Sequence, residues 1–417
     1  MQLNLLFRAF RYKNYRLFFA GQTVSLIGTW MQQIAISWLV YRMSRSPFLL
    51  GLIGFSSMVP TFIFAPFGGI MADRWNRHRI IIITQILAMF QAFLLAYLVL
   101  SDQIAIWHLV GLGIFLGCVN SVDIPVRQAF TVDIVEKPED LGNAIALNSS
   151  MVNSARLLGP SMAGVMIGIV GEGICFLING ISYLAVIAAL FNMEIAAKQN
   201  QKLPHPHITK GLKEGWSYVM NFFPIKSILF LLALICLLGT PYVVLMPVFA
   251  KEILFGGPHT LGFLMGSSGV GALCAAFFLA SRKNVRGLTR WLVLSSVAFG
   301  LSLILFSQSH HLPLSLILMS LAGFSMMMQM ASSNIILQTL VDEDKRGRVM
   351  SFYTMAFMGM TPFGSIMAGV LAERIGAPCT LLISGTGCIM AAVLFASRLG
   401  EFRKMVIPVY ENKGISR

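Results

Sequence analysis

Two neighbouring stretches of the sequence, residues 48–72 and 80–101, contain no charged side chain. Each is long enough to cross a bilayer as an α-helix, which takes roughly 20 apolar residues. The short segment between them carries one carboxylate and three guanidinium groups: Asp73, Arg74, Arg77 and Arg79. This arrangement predicts a charged turn at a membrane surface, joining two spanning helices.

The same alternation of apolar runs and short polar segments continues along the whole chain of 417 residues. The sequence is 56% hydrophobic and 12% charged, with a mean hydropathy of +0.76. A soluble protein of this length does not bury so much apolar surface, so the chain is predicted to be an all-α membrane protein with many spans. Twelve transmembrane helices are predicted, at residues 17–41, 48–72, 80–101, 105–126, 143–170, 174–194, 226–250, 259–281, 288–307, 312–336, 349–372 and 377–397.

A charged segment in the middle divides these helices into two sets of six. The predicted organisation is an N-terminal half at residues 1–194, a linker at 195–225, a C-terminal half at 226–397 and a tail at 398–417. The first half also resembles the second. With a shift of 205 residues, Met162-Ala-Gly-Val165 falls on Met367-Ala-Gly-Val370, and Gly171 falls on Gly376. Parallel six-helix halves of this kind are typical of transporters whose substrate site lies between repeats.

The positive residues predict the orientation. Of 31 Lys and Arg residues, only four fall in loops on one side of the predicted bundle, and Arg156 lies within a helix. The remaining 26 lie on the other side. Because excess Lys and Arg in short loops marks the cytoplasmic face, both termini are predicted to be cytoplasmic. The charged turn at Asp73 then faces the cytoplasm, either as a topogenic turn only or as a gate.

Other functional classes find no support in the sequence. The net charge of +14 is spread over many short loops, which argues against a nucleic-acid partner. The six cysteines lie in or beside apolar segments without paired spacing, and no metal site or cofactor is expected. No glycine loop of the nucleotide-binding type is present. A membrane-embedded enzyme would lack a catalytic constellation, and a membrane sensor would lack a soluble output domain.

The pattern Gly69-x-x-x-Asp73-Arg74-x-x-Arg77-x-Arg79 resembles the signature loop between helices two and three of the major facilitator superfamily. This chain has Asn76 where many members have Gly, and His78 where many have a second basic residue. Both departures resemble a branch that includes siderophore exporters and macrolide efflux pumps. The resemblance implies the two-half major facilitator fold, and it implies that the loop gates the transport cycle.

The predicted fifth helix carries the pattern Gly159-Pro160-x-x-Ala-Gly164. Gly and Pro inside a membrane helix bend it and allow another backbone to approach. The pattern resembles the helix-five motif of exporters in this superfamily, which is associated with antiport and with blocking leak. Helix packing alone is the alternative explanation.

Two polar stripes at helical spacing are candidates for a substrate pathway. One, on helix five, consists of Ser149, Asn153 and Arg156. A charge near the middle of a bilayer normally faces a partner or a watery cavity, and an arginine bound to backbone carbonyls for packing is the alternative. The other, on helix one, consists of Gln22, Ser25, Thr29 and Gln33. Hydrogen bonding between packed helices is an equally good explanation for this second stripe.

Asp123 is the only acidic residue that lies inside a predicted membrane helix and not at its end, and Arg127 follows one turn later. A proton-coupled transporter needs a carboxylate that gains and loses a proton during its cycle. Asp123 with Arg127 is therefore the candidate for proton coupling. A structural ion pair between the two residues is the alternative.

Together these features predict a monomeric secondary transporter of the inner membrane, with membrane lipid around it. The expected activity is export of a small amphipathic molecule, a drug or a siderophore, by alternating access and proton antiport. An importer or a lysophospholipid flippase of the same fold is an alternative. A sensor or membrane enzyme is the alternative of another class.

Overall fold

The computed structural model describes residues 8–194, 208–282, 287–343 and 345–412. Within these ranges the regular structure is helical, without a strand. We number the long helices α1 to α12. The first four are α1 (Lys13–Ser44), α2 (Pro47–Arg74), α3 (Arg77–Leu100) and α4 (Ile106–Asp133). The segment Pro138–Phe191 forms α5 (138–170) and α6 (172–191), which meet at Gly171.

The later helices follow the same plan. They are α7 (Phe223–Ile253), α8 (Pro258–Ala280), α9 (Leu288–Ser307), α10 (Leu312–Leu340), α11 (Arg346–Ile375) and α12 (Ala377–Ser397). Within α7 the regular α-helix is interrupted after Leu238 and ends in a π-helical turn at Phe249–Ile253, and α11 contains a π-helical turn at Met355–Gly359. Because spanning helices satisfy their own backbone hydrogen bonds, a bundle of this kind is stable in lipid.

Ten helical segments of the described chain are long and apolar enough to cross a membrane. One of them, Pro138–Phe191, is 54 residues long and counts as two spans because Gly171 breaks it. Glutamines such as Gln22 and Gln32 lower the hydropathy of α1, which is not among the ten although it has 32 residues. The prediction of an all-α membrane fold with twelve spans is confirmed.

Several boundaries differ from the predicted ones. α4 extends to Asp133 instead of ending at residue 126, so Arg127 lies inside the helix. The predicted linker contains an amphipathic helix, Ile208–Asn221, which we call the linker helix. The predicted tail contains the tail helix, Leu399–Asn412. The first part of the predicted linker, 195–207, lies outside the described residues.

The sequence repeat has a structural counterpart at Gly171 and Gly376. Both residues join two helices with nearly the same backbone angles, φ 80° and ψ 173° at Gly171 and φ 83° and ψ 155° at Gly376. A positive φ of this size is unfavourable for any residue with a side chain. The glycines therefore permit the sharp α5–α6 and α11–α12 connections.

Close helix contacts at glycine repeat in the same way. Gly68 of α2 lies against the backbone carbonyl of Ser121 in α4. Gly271 of α8 lies against the backbone carbonyl of Ser320 in α10. Equivalent helix pairs in the two halves thus each approach closely at a glycine, as expected of a duplicated unit.

The contacts of the chain divide it into two compact units. Unit 1 holds the described residues up to 194 together with Met246–Gly269. Unit 2 holds residues 208–245 and the described chain from Val270 onward. The residues Met246–Gly269, which the sequence assigns to the second half, therefore pack with the first. The boundaries of the predicted halves stay a prediction.

Candidate functional site

The charged turn between α2 and α3 is held by two local caps. The Asn76 side chain accepts a hydrogen bond from the backbone N–H of Arg79 at 3.1 Å and so caps the N-terminus of α3. The Arg77 Nε donates to the carbonyl oxygen of Ala72 at 2.8 Å, in the last turn of α2. Asn76 therefore has a structural role at the start of α3.

Arg77 also ties this turn to the end of α4. Its guanidinium lies 3.0 Å from a carboxylate oxygen of Asp133 and 3.9 Å from one of Asp73. The Asp73 side chain is 61% exposed, and Arg74 and Arg79 are exposed as well. Arg77 thus holds α2, α3 and α4 together within unit 1. The gating role of Asp73 stays a prediction.

His78 connects the same turn to α6. Its Nε2 lies 2.9 Å from the carbonyl oxygen of Leu190, one of the last carbonyls of that helix, and its ring stacks on Phe130 at 5.9 Å. No pattern in the sequence indicates a partner for His78. The departure from a basic residue at this position was the only signal.

Two adjacent glycines precede the turn, and the structure gives them different surroundings. The sequence motif singles out Gly69, but a Cβ added there meets nothing within 4 Å. Gly68 is the buried one, and a Cβ added to it would lie 2.9 Å from Pro125 Cγ as well as against Ser121. The close α2–α4 contact therefore depends on Gly68.

We predict that Gly68→Val destabilises the protein, whereas Gly69→Val does not. Overpacking a tight contact costs about 1–3 kcal/mol, while substitutions in open positions stay within about 0.5 kcal/mol. Thermal unfolding of the two purified variants in the same detergent measures the difference. Equal stability of the two variants would show that the α2–α4 contact tolerates a side chain at Gly68.

The glycines of the helix-five motif serve two different helix contacts. A Cβ at Gly159 would lie 2.9 Å from the carbonyl oxygen of Ile27 in α1. A Cβ at Gly164 would lie 2.8 Å from the Cα of Gly262 and equally close to the carbonyl oxygen of Pro258, both in α8. Pro160, which follows Gly159 directly, is also buried. The motif therefore allows α5 to contact α1 on one side and the first turns of α8 on the other, all within unit 1.

The polar stripe of α5 lies on a face that unit 1 leaves at least partly uncovered. Ser149 is exposed, and Asn153 and Arg156 are partly exposed. The Asn153 amide donates to the carbonyl oxygen of Ser149 at 2.9 Å. The Arg156 guanidinium lies over the ring of Trp30, 5.6 Å from its centre. A guanidinium over an indole face is a cation–π contact, and it joins α5 to α1.

The stripe of α1 does not share one environment. Gln22 and Ser25 are buried, at 2% and 1% exposure, and the Thr29 hydroxyl lies 3.3 Å from the hydroxyl of Tyr183 in α6. Gln33 alone of the four is exposed. Thr29 therefore contacts α6, and Gln22 and Ser25 are enclosed by protein, which leaves Gln33 as the exposed member of the stripe.

Thiol labelling tests the exposure of the α5 stripe. In a background without the six native cysteines, cysteine at Ser149, Asn153 or Arg156 should react with a small charged maleimide. Ala155 is only 1% exposed. Cysteine at this position should react at least about tenfold more slowly, because burial lowers both access and thiolate formation. Equal rates at Ala155 and Asn153 would show that the stripe has no special access to water.

Asp123 is buried and fully engaged by its neighbours. One carboxylate oxygen accepts from the Thr84 hydroxyl at 2.8 Å and from the Gln85 amide at 2.9 Å. The other lies 3.1 Å from the Arg127 guanidinium. The two candidates for proton coupling therefore form an ion pair inside unit 1, with α3 supplying the remaining hydrogen bonds.

Three further carboxylates have partners that the sequence did not indicate. Glu172, which is 6% exposed, pairs with Arg42 at 2.8 Å. Glu252 accepts a hydrogen bond from the Tyr41 hydroxyl. Both contacts join helix ends within unit 1. These residues stand in predicted loops, where the sequence offers no sign of burial or of a distant partner.

The third carboxylate, Asp140, lies in the first turn of α5 and binds both Arg11 and the hydroxyl of Tyr12. Burial, followed by the hydrogen bond to Asp140, raises the pKa of Tyr12. Nearby, Lys13 lies 2.7 Å from Glu194, and its hydrogen bond lowers the pKa of the Glu194 carboxyl. The N-terminal segment is thereby anchored to α5 and to the end of α6.

Comparison with known protein families gives a result consistent with this helical bundle and its charged turn. The family model described as a transmembrane secretion effector, a branch of the major facilitator superfamily, matches residues 6–409. The chain belongs to this family. The chain is accordingly a secondary transporter with many membrane spans, and not an enzyme.

Characterised relatives are similar over almost their whole length. The staphyloferrin A transporter of Staphylococcus aureus is 26% identical over 412 residues, which cover 96% of this chain and 99% of that protein. Macrolide efflux protein A of Streptococcus pyogenes is 22% identical over 95% of this chain and 99% of its own. Among solved structures, a bacterial homolog of the human lysosomal transporter Spinster has a TM-score of 0.75 at 11% identity, over 94% of this chain and 98% of that one. The fold is that of the major facilitator superfamily.

Proposed function

We propose that the protein exports a small amphipathic molecule, either a siderophore or a drug, from the cytoplasm by alternating access. The observation that supports this proposal most is the partly exposed Arg156 beside Trp30 on α5. Relatives named for a siderophore and for macrolide efflux agree with it. Arg156 would bind an anionic or polar group of the substrate, and Trp30 would contact its apolar body.

The proposed pathway continues from this pair along α5 and α1. Ser149, Asn153 and Gln33 are exposed or partly exposed polar residues that offer hydrogen bonds to a moving substrate. The Asp73 turn would act as the cytoplasmic gate, with Arg77 as its anchor. Gly159, Pro160 and Gly164 would hold α5 in place against its neighbours.

Export would be coupled to protons through the Asp123–Arg127 pair. Both charges are held in a largely buried site, where the Asp123 carboxylate has Arg127, Thr84 and Gln85 as its partners. Movement of α3 or of Arg127 during the cycle would change these contacts of the Asp123 carboxylate. The pair would bind a proton in one state and release it in the other.

The protein would act as a monomer in the inner membrane, with both termini in the cytoplasm. The distribution of positive residues supports this orientation, since 26 of the 31 lie on one side. Proteins of the cytoplasmic membrane span it as bundles of apolar helices, whereas proteins of the outer membrane form β-barrels.

Cells that lack the protein test the proposal. The deletion strain should retain more radiolabelled siderophore or macrolide than the parent, and a plasmid copy of the wild type should reverse the difference. An Arg156→Gln copy should fail to reverse it at equal expression. Lower retention in the deletion strain would identify an importer, and a defect limited to lysophospholipid would identify a flippase.

A further inference from the structure

A groove of about 250 Å³ opens on unit 2 where the start of α7 meets the end of α12 and the tail helix. Its walls are apolar, and they include Phe223, Phe230, Leu394 and Phe402. Phe402 is 1% exposed and packs on Phe395 with ring centres 5.4 Å apart, so the tail helix forms a fixed side of the groove.

The groove lies at a boundary of the membrane. α7 begins at Phe223 and α12 ends at Ser397, so two apolar spans have their ends here. Phe230 and Leu394 line the groove and are 55% and 53% exposed. Apolar side chains exposed just inside a membrane boundary face the acyl chains of lipids.

Positive charge lies at the same place as these apolar walls. Lys226 and Arg398 both line the groove and are both exposed. Neither side chain forms an ion pair with any residue that the structure describes. Lys226 stands in the first turn of α7, and no side chain of the described chain caps that helix. The helix dipole adds partial positive charge at this end of α7, although Pro224 has no N–H and the backbone N–H groups of Ile225 and Lys226 both donate to the carbonyl oxygen of Phe222.

We propose that this groove binds one anionic phospholipid. Its phosphate would lie between the side chains of Lys226 and Arg398, and an acyl chain would extend along Phe230 and Leu394. With the termini in the cytoplasm, the lipid belongs to the cytoplasmic leaflet, whose anionic lipids attract basic segments at the membrane surface. The site is independent of the identity of the exported substrate.

Native mass spectrometry of the purified full-length protein tests the proposal. The protein is incubated with phosphatidylglycerol or with phosphatidylethanolamine, and the bound lipid is counted. Wild type should retain one phosphatidylglycerol in preference to phosphatidylethanolamine. The double variant Lys226→Gln/Arg398→Gln should bind phosphatidylglycerol at least about tenfold more weakly, because each basic residue near an anionic surface contributes measurably to binding.

A matched control removes two positive charges outside the groove, from the tail helix. Arg403 and Lys404 are exposed and do not line the groove, so Arg403→Gln/Lys404→Gln should retain wild-type binding. Ser227→Glu, which places a carboxylate in the groove, should abolish the preference for phosphatidylglycerol without removing a basic residue. Size-exclusion profiles identical to wild type confirm that these surface variants fold.

Two results would overturn the proposal. The first is equal binding of phosphatidylglycerol by wild type and by the Lys226→Gln/Arg398→Gln variant. The second is displacement of the bound lipid by millimolar glycerol 3-phosphate, which would assign the site to a soluble phosphate compound. Binding that survives glycerol 3-phosphate and is lost in both groove variants supports a phospholipid site.

Discussion

Gly164→Val is expected to reduce transport by about tenfold or more while leaving the protein in the membrane. A Cβ at this position would lie 2.8 Å from the Cα of Gly262 in α8 and 2.8 Å from the carbonyl oxygen of Pro258. Both of these are backbone atoms, so they cannot move aside as a flexible side chain would. Forced separation of tightly packed helices costs about 1–3 kcal/mol, equivalent to roughly tenfold in an equilibrium.

The same helix offers a matched control for this substitution. Gly168 stands one turn further along α5 and is exposed, and a Cβ there would meet only the Pro258 ring at 3.9 Å, an ordinary contact distance. Gly168→Val should therefore transport like wild type. Gly262→Val should reproduce the Gly164→Val defect from the other side of the contact. Wild-type transport by Gly164→Val at equal expression would mean that the α5–α8 contact has no role in the cycle.

Asp123→Asn is expected to have the second large effect. The substitution leaves the Arg127 guanidinium without the carboxylate that lies 3.1 Å from it, and breaking a buried ion pair from one side costs roughly 3–5 kcal/mol. The hydrogen bonds from Thr84 and Gln85 would have to reorganise around the new amide. If Asp123 carries the coupling proton, substrate movement in proteoliposomes should no longer move protons.

Asp133→Asn provides the comparison for this result. Asp133 is also on α4 and also pairs with an arginine, Arg77, at 3.0 Å. This variant should lose some stability but retain the wild-type ratio of protons to substrate. The double substitution Asp123→Asn/Arg127→Gln should regain part of the lost stability without regaining coupling. A wild-type ratio in Asp123→Asn would make the pair structural and would exclude Asp123 as the coupling group.

The fold was predictable because the membrane leaves the chain few choices. Apolar stretches long enough to span a bilayer must be helical there, and positive loops predict their orientation. The helix ends were less predictable. α4 extends to Asp133 because its last turns carry charged residues that find partners at the membrane surface, such as Arg77. A hydropathy pattern ends where charge begins and so stops short of these turns.

The site was predictable as a set of polar residues, but the environment of each residue was not. Periodicity places Gln22 and Gln33 on the same stripe, yet one is buried against neighbouring helices and the other is exposed. Gly68 and Gly69 are adjacent in sequence, and only Gly68 has a backbone carbonyl beside it. Such differences depend on how neighbouring helices are rotated and how closely they approach. The periodicity of a single sequence does not indicate either of these quantities.

The central claim, export driven by protons, is tested most directly in everted membrane vesicles that contain the protein. Vesicles acidified inside by respiration receive radiolabelled staphyloferrin A or a radiolabelled macrolide outside, and uptake is followed with time. The account predicts uptake of at least one compound by wild-type vesicles, its collapse on addition of a protonophore, and its absence with Arg156→Gln. Uptake by right-side-out vesicles only, or uptake that a protonophore leaves unchanged, would contradict the account.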